Sequence, residues 1–129
     1  MSRTGKPTSA ELEILDILWE RSRATVRDVH EVINGQRPTA YTTVLKTMQI
    51  MHEKGLVKRD DSAKAHVYKP AQSQRQTQRG LVSDLLDKAF RGSALKLVQH
   101  VLETKPATPE ELAEIKRMIA DAEERSEKK

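Results

Sequence analysis

The chain of 129 residues contains no cysteine, which excludes disulfides, thiolate nucleophiles and cysteine-ligated zinc or copper sites. Aromatics are almost as scarce, with one Trp, one Phe and two Tyr, too few for a thick β core and in keeping with helices laced with surface charge. No apolar run is long enough to span a bilayer and no secretory leader is visible, so a cytoplasmic protein is expected. A Gly-rich phosphate loop and a Gly-x-Ser-x-Gly elbow are both missing. The four histidines, His30, His52, His66 and His100, show no paired ligand spacing. His30-Glu31 opens a zinc-protease pattern, but the place of its second histidine is taken by Asn34. Neither catalysis nor a metal or cofactor is expected.

What is present begins with charge. The net value is +4 at pH 7 and the pI is about 9.4, a mild bias toward polyanionic partners. Twelve Lys and Arg face nine Asp and Glu in residues 1–70, against eleven and ten in the remainder. The surplus sits in the first half.

Helix signals come in order along that half. Pro7 and a capping box of Thr8 with Glu11 open a first helix, whose stripe of Leu12, Ile14, Leu15, Ile17, Leu18 and Trp19 is wide enough for the core of a small domain. A second box, Thr25 with Asp28, opens a shorter helix carrying Val26, Val29, Val32 and Ile33, which Asn34-Gly35 is expected to end. After the turn at Arg37-Pro38, Thr39 is the expected N-cap of a third helix running to Lys54, with Gly55 stopping it. Leu56 to Arg59 and Ala65 to Lys69 then read as two short strands around a polar turn.

Helix, helix, helix and basic hairpin is the order of a winged helix that reads DNA. On the third helix Val44, Met48 and Met51 share one face and Thr42, Lys46, Gln49 and Glu53 the other. An α-helix fits the major groove with its N-terminal half against base edges, which assigns base readout to Thr42, Thr43, Lys46 and Gln49. Threonine can donate, accept or offer a methyl to thymine, Lys46 can reach guanine or phosphate, and Gln49 can pair with adenine. The competing reading is a solvated polar face, against which the adjoining hairpin and upstream helices weigh. Tyr41 at the helix start and Lys58, Arg59, Lys64 and His66 in the hairpin are the candidates for the DNA backbone, with Lys69, Arg23 and Arg27 beside them. A charged hairpin edge that discourages aggregation remains the alternative there.

The Gln-rich stretch 71–78 marks a change of domain, as a linker or as the polar first turns of the next helix. Three helices follow. The first carries Leu81, Leu85 and Phe90, the second Leu95, Val98 and Val101, and the third Leu112, Ile115 and Ile119 after a cap at Thr108, Pro109 and Glu111. So small a module lacks the depth to bury these stripes alone, and a second copy would supply the missing surface. The expected organisation is mainly α: a winged-helix DNA-binding domain at 1–72, a linker or first turn at 73–78 and a helical dimerisation domain at 79–129.

Several strings of this sequence, taken in order and spacing, resemble the BlaI/MecI/CopY family of bacterial repressors over nearly the whole chain. They are Pro-Thr-Ser-Ala-Glu-Leu-Glu-Ile-Leu-Asp-Ile-Leu-Trp at 7–19, Val-Arg-Asp-Val at 26–29, Ala-Tyr-Thr-Thr-Val at 40–44, Lys-Gly-Leu-Val at 54–57, His-Val-Tyr-Lys-Pro at 66–70 and Phe-Arg-Gly-Ser at 90–93. The resemblance implies a homodimeric repressor whose winged helices each bind half of a palindromic operator in double-stranded DNA, with Thr42, Thr43 and Lys46 facing the bases. It also implies release by weakening or proteolysis of the dimer module, with a membrane metalloprotease sensor or its downstream protease as partner. The chain departs from the family's pattern in three places. It lacks the cysteine-rich metal site of copper-responsive members. Ile50 stands where a basic residue is common, and either meets a thymine methyl or marks a shifted docking angle. His100-Val101 occupies the position of the Asn-Phe bond cleaved in penicillinase-type repressors. A winged-helix adaptor that docks on protein without reading DNA is the alternative; the Thr, Lys and Gln on the outer face of the third helix favour DNA, since a protein-docking face calls for aromatic or aliphatic anchors.

Overall fold

The computed structural model describes residues 6–128, in the order α1 (Ser9–Arg21), β1 (Ala24–Thr25), α2 (Val26–Gln36), α3 (Tyr41–Lys54), β2 (Val57–Asp60), β3 (Val67–Pro70), α4 (Gln74–Phe90), α5 (Ala94–Thr104) and α6 (Pro109–Glu127). The chain divides into two compact units, one reaching to Val82 and the other starting at Ser83. The division therefore falls inside α4. The expected boundary lay nearer 72–79.

In the first unit the local signals act as the sequence suggests. Thr8 Oγ1 accepts from the Glu11 N–H at 3.2 Å while Glu11 Oε1 accepts from the Thr8 N–H at 2.9 Å. Thr25 and Asp28 repeat the exchange at 3.1 Å in both directions. Each box satisfies two backbone donors at a helix start that otherwise have no partner. The Thr25 bonds, the backbone one first, hold the Asp28 carboxyl below the usual carboxylate range.

Two boundaries differ from expectation. Asn34-Gly35 does not end α2, which continues to Gln36; Asn34 Oδ1 instead accepts from the Thr39 N–H at 3.0 Å and shapes the loop that follows. Thr39 does not cap α3, because its hydroxyl donates back to the Arg37 carbonyl at 2.9 Å. Ala40 takes the cap position without a side-chain bond. Gly55 closes α3 as expected, at φ 81°, a left-handed conformation that only glycine adopts cheaply.

The core gathers Ile14, Leu15 and Leu18 of α1, Val26, Val29 and Ile33 of α2, Val44, Met48 and Met51 of α3, and Leu56, Val57 and Tyr68 beside the sheet. Each fully buried aliphatic side chain contributes roughly 1.5–3 kcal/mol. Leu12, Ile17 and Trp19 of the α1 stripe lie at its rim. The sheet has the order β1-β3-β2, antiparallel throughout, with Ala24 opposite Tyr68 and Arg59 opposite Tyr68 on its other side. β1 was not anticipated; it is two residues that become a strand by pairing with β3.

The Gln-rich segment is the start of α4 rather than a linker. Ser73 Oγ accepts from the Gln76 N–H at 3.1 Å and Gln76 Oε1 accepts from the Ser73 N–H at 3.0 Å, a further capping box. Trp19 Nε1 donates to the Gln72 carbonyl at 3.0 Å and fixes the chain just before it.

In the second unit Ser93 caps α5 and the Thr108 and Glu111 box opens α6 with Pro109 in its first turn. Phe90 and His100 bring their rings to 5.6 Å. None of the described residues of α4, α5 or α6 is buried.

Candidate nucleic-acid interface

The candidate reading element is α3, oriented by its apolar face. With Val44, Met48 and Met51 buried against α1, α2 and the sheet, Thr42, Thr43, Lys46 and Gln49 are turned to solvent. All four lie together on the exposed side, as their spacing requires. Thr47 behaves differently, since its hydroxyl donates to the Thr43 carbonyl at 2.8 Å and is not offered outward.

The start of α3 is set from α2. His30 Nε2 lies 2.7 Å from the Thr39 carbonyl, and the His30 ring meets that of Tyr41 at 5.6 Å and 76°. These contacts hold Tyr41, 45% exposed, at the first turn of the helix. That turn carries no acidic residue and no side-chain cap among the described residues. Its N–H groups and the positive end of the helix dipole are thereby open to an anion. His30 was not singled out for this role; nothing local in the sequence ties it to Thr39 and Tyr41.

The hairpin divides its cations between two sides. Lys64 and His66, from the turn, line one groove with Tyr41 and Gln49 of α3 and Thr25 and Arg27 at the start of α2. Lys58 sits opposite Lys69 in the ladder, both exposed, one residue out of phase with Arg59 and Tyr68. Like charges directly opposite repel, and an anion between them would relieve the repulsion. Arg59 is engaged within the hairpin, its Nε 2.8 Å from Asp61 Oδ1. The Tyr68 side chain and then Asp61 push its pKa up. His66 Nε2 stands 3.6 Å from the same Asp61 oxygen. Asp60 accepts from the Ser62 N–H at 2.9 Å; its bonds to Ser62, with Arg23 and Lys69 nearby, pull its carboxyl below the usual range. The structure thus brings Tyr41, Gln49, Lys64 and His66 into one groove, keeps Thr42, Thr43 and Lys46 on the same helix, places Arg59 beside His66 through their shared Asp61, and leaves Lys58 with Lys69 on the other face of the ladder.

Among the described residues no group of three or more His, Asp or Glu is placed to hold a metal, and no helix is long and apolar enough to cross a membrane.

Similarity to known proteins runs over the whole arrangement. The transcriptional regulator BlaI of Mycobacterium tuberculosis (strain CDC 1551 / Oshkosh) is 32% identical over 125 residues, 95% of this chain and 89% of the relative. The methicillin resistance regulatory protein MecI of Mammaliicoccus sciuri is 21% identical over 118 residues, 92% and 96% of the two chains. A solution structure of the DNA binding domain of the repressor BlaI superposes with a TM-score of 0.52 at 19% identity, covering 57% of this chain and 90% of that one; it shares the fold of the first unit. The penicillinase repressor profile matches residues 7–121, and with α3, the hairpin and three further helices in that order the chain belongs to the penicillinase repressor family, that of the BlaI and MecI transcriptional regulators.

Proposed function

We propose that this chain is a cytoplasmic, homodimeric transcriptional repressor whose two winged helices read the halves of a palindromic operator. The observation that carries the reading is the division of α3 into a buried apolar face and an exposed face bearing Thr42, Thr43, Lys46 and Gln49. Those residues meet base edges in the major groove. Tyr41 with the open first turn of α3, Lys64 and His66 meet the phosphates, with Lys58 on the outer side of the hairpin and Arg59 once released from Asp61.

Dimerisation through the helices after residue 79 is supported by the apolar side chains they leave uncovered: Leu85, Leu95, Val98, Val101, Leu112 and Ile119 are all exposed, and Leu81, Phe90 and Ile115 only partly covered. Isolated exposed residues need no explanation, but stripes on three successive helices do. Linking two readers raises the effective concentration of the second at its half-site.

Release follows from loss of that linkage. His100 and Val101 are both exposed on α5, and a cut between them would separate α6 and the end of α5 from the rest of the module. A membrane metalloprotease sensor, or a protease downstream of it, is the partner this requires. Mapping fragments by mass spectrometry after incubation with extract of inducer-treated cells tests it; derepression with the chain intact overturns it.

The operator reading is tested by a gel shift of the full chain on the DNA upstream of its own gene across salt concentrations. Specific retention with a slope of about 0.9 per neutralised phosphate supports it. Equal retention of unrelated duplexes at every salt concentration overturns it.

A further inference from the structure

Among the described residues up to Leu81 only two large apolar side chains are exposed, Tyr41 and Ile50, and both belong to α3. Tyr41 is accounted for by His30. Ile50 is 41% exposed, and Lys46, Gln49 and Glu53 around it are all exposed polar residues. At about 100° per residue, Ile50 falls within about 20° of the direction of Thr43 and between Thr43 and Lys46. One turn on, Glu53 would repel phosphate. Ile50 is thus the last position on this face that can enter the groove.

We infer that Ile50 determines operator sequence by packing on the 5-methyl group of a thymine in the major groove, an inference that rests on the operator reading above. The major groove shows one apolar group, the thymine methyl, so a branched aliphatic in line with base-reading side chains has a single chemical complement there. A lone isoleucine among charged and amide side chains is too small for the anchor of a protein interface, which is a cluster of buried aromatic or aliphatic groups. Seven residues of helix separate Ile50 from Thr43, about 10 Å at 1.5 Å per residue. With base pairs about 3.4 Å apart, the thymine lies about three base pairs from the base that Thr43 meets.

The test begins with the full-length chain selecting duplexes from a randomised pool, with Ile50→Ala selected in parallel. Each thymine of the enriched duplex is then replaced by deoxyuridine, which removes only the methyl. For the unmodified chain one thymine per half-site is expected to matter, its replacement weakening binding about fourfold, or about fifteenfold in both half-sites together. Ile50→Ala is expected to bind the thymine and uracil duplexes alike and to lose the thymine from its own selected sequence. The inference is overturned if no replacement weakens binding, or if Ile50→Ala shows the same thymine-to-uracil ratio as the unmodified chain. A pool that yields no enriched sequence at all would overturn the operator reading, and this inference with it.

Discussion

The pairing of Glu11 with Lys54 offers a quantitative test of how α3 is held. Glu11 is 4% exposed, the one buried charged residue among those described. Lys54 Nζ donates to its Oε1 at 2.7 Å and to the Lys6 carbonyl at 3.0 Å, so the C-terminal end of α3 is tied to the start of α1. Burial alone would push the Glu11 carboxyl up; the bonds from Lys54 and Thr8 outweigh it and leave the group below its usual range. Lys54→Met would strand the carboxylate. Breaking a fully buried pair costs about 3–5 kcal/mol, and since the Lys54 side chain is 26% exposed a loss of about 2 kcal/mol is expected. Glu11→Gln keeps an acceptor for the Thr8 N–H and should cost about 1 kcal/mol. The double variant should be more stable than Lys54→Met alone, because it no longer buries an unpaired charge. Since the folded pKa of Glu11 is depressed, its stabilising contribution is present at neutral pH and lost as pH falls below about 4. In Lys54→Met burial raises that pKa instead, so the deficit against the unmodified chain should be greatest near neutrality and narrow on acidification. Thermal unfolding at fixed protein concentration would read it, with about 2 kcal/mol shifting Tm by roughly 10 °C in a unit of this size. A Lys54→Met deficit that is the same at pH 7 and pH 4, or a double variant less stable than the single one, would refute the reasoning.

Thr43→Ala should weaken specific binding by roughly 1–3 kcal/mol and leave non-specific binding nearly intact, whereas Lys64→Ala should weaken all duplexes alike and flatten the salt slope by about one; titrations on operator and unrelated duplex across salt would show both. Thr25→Ala removes the acceptor for the Asp28 N–H and should cost about 1 kcal/mol in denaturant unfolding. A chain ending at Val82 retains the first unit's core and the Ser73 and Gln76 cap, and should be folded and monomeric in sedimentation. It should hold the operator far more weakly than the full chain, and a dimeric fragment of equal affinity would contradict the linkage argument.

What the sequence reveals and conceals about the first unit follows from the range of each signal. Thr8 with Glu11 and Thr25 with Asp28 are exchanges across three residues and can be read directly. Ser73 with Gln76 has the same spacing, but the glutamines around it left the segment open between a linker and the first turns of a helix. Thr39 had the right chemistry for a cap and the wrong partners, since Arg37 and Asn34 both bond to it. Such competition among neighbours is settled by loop geometry, which composition does not carry. β1 is a strand only because Tyr68 and Val67 lie beside it, and Glu11 finds its cation 43 positions away. The α3 faces were legible because helical periodicity alone fixes them; the sharing of Arg59 and His66 by Asp61 was not.

The second unit poses the reverse problem, because its pattern is plain and yet none of the described residues of its helices is buried. Leu95 is 80% exposed on α5, with Val98, Val101 and Leu102 exposed on the same helix, although Ser93 caps it soundly. Caps and propensity alone leave helices of 11 residues marginal in water, where most helical stability comes from covering an apolar face. If the cover is a second copy, folding of this unit and assembly are one equilibrium, and its stability must rise with protein concentration while that of the first unit, with its own core, need not. The same linkage makes the module a suitable point of control. In such a dimer a change that uncovers α5 would lower helix stability, dimer affinity and the joint hold on two half-sites together, without altering any of the proposed DNA-facing residues of α3.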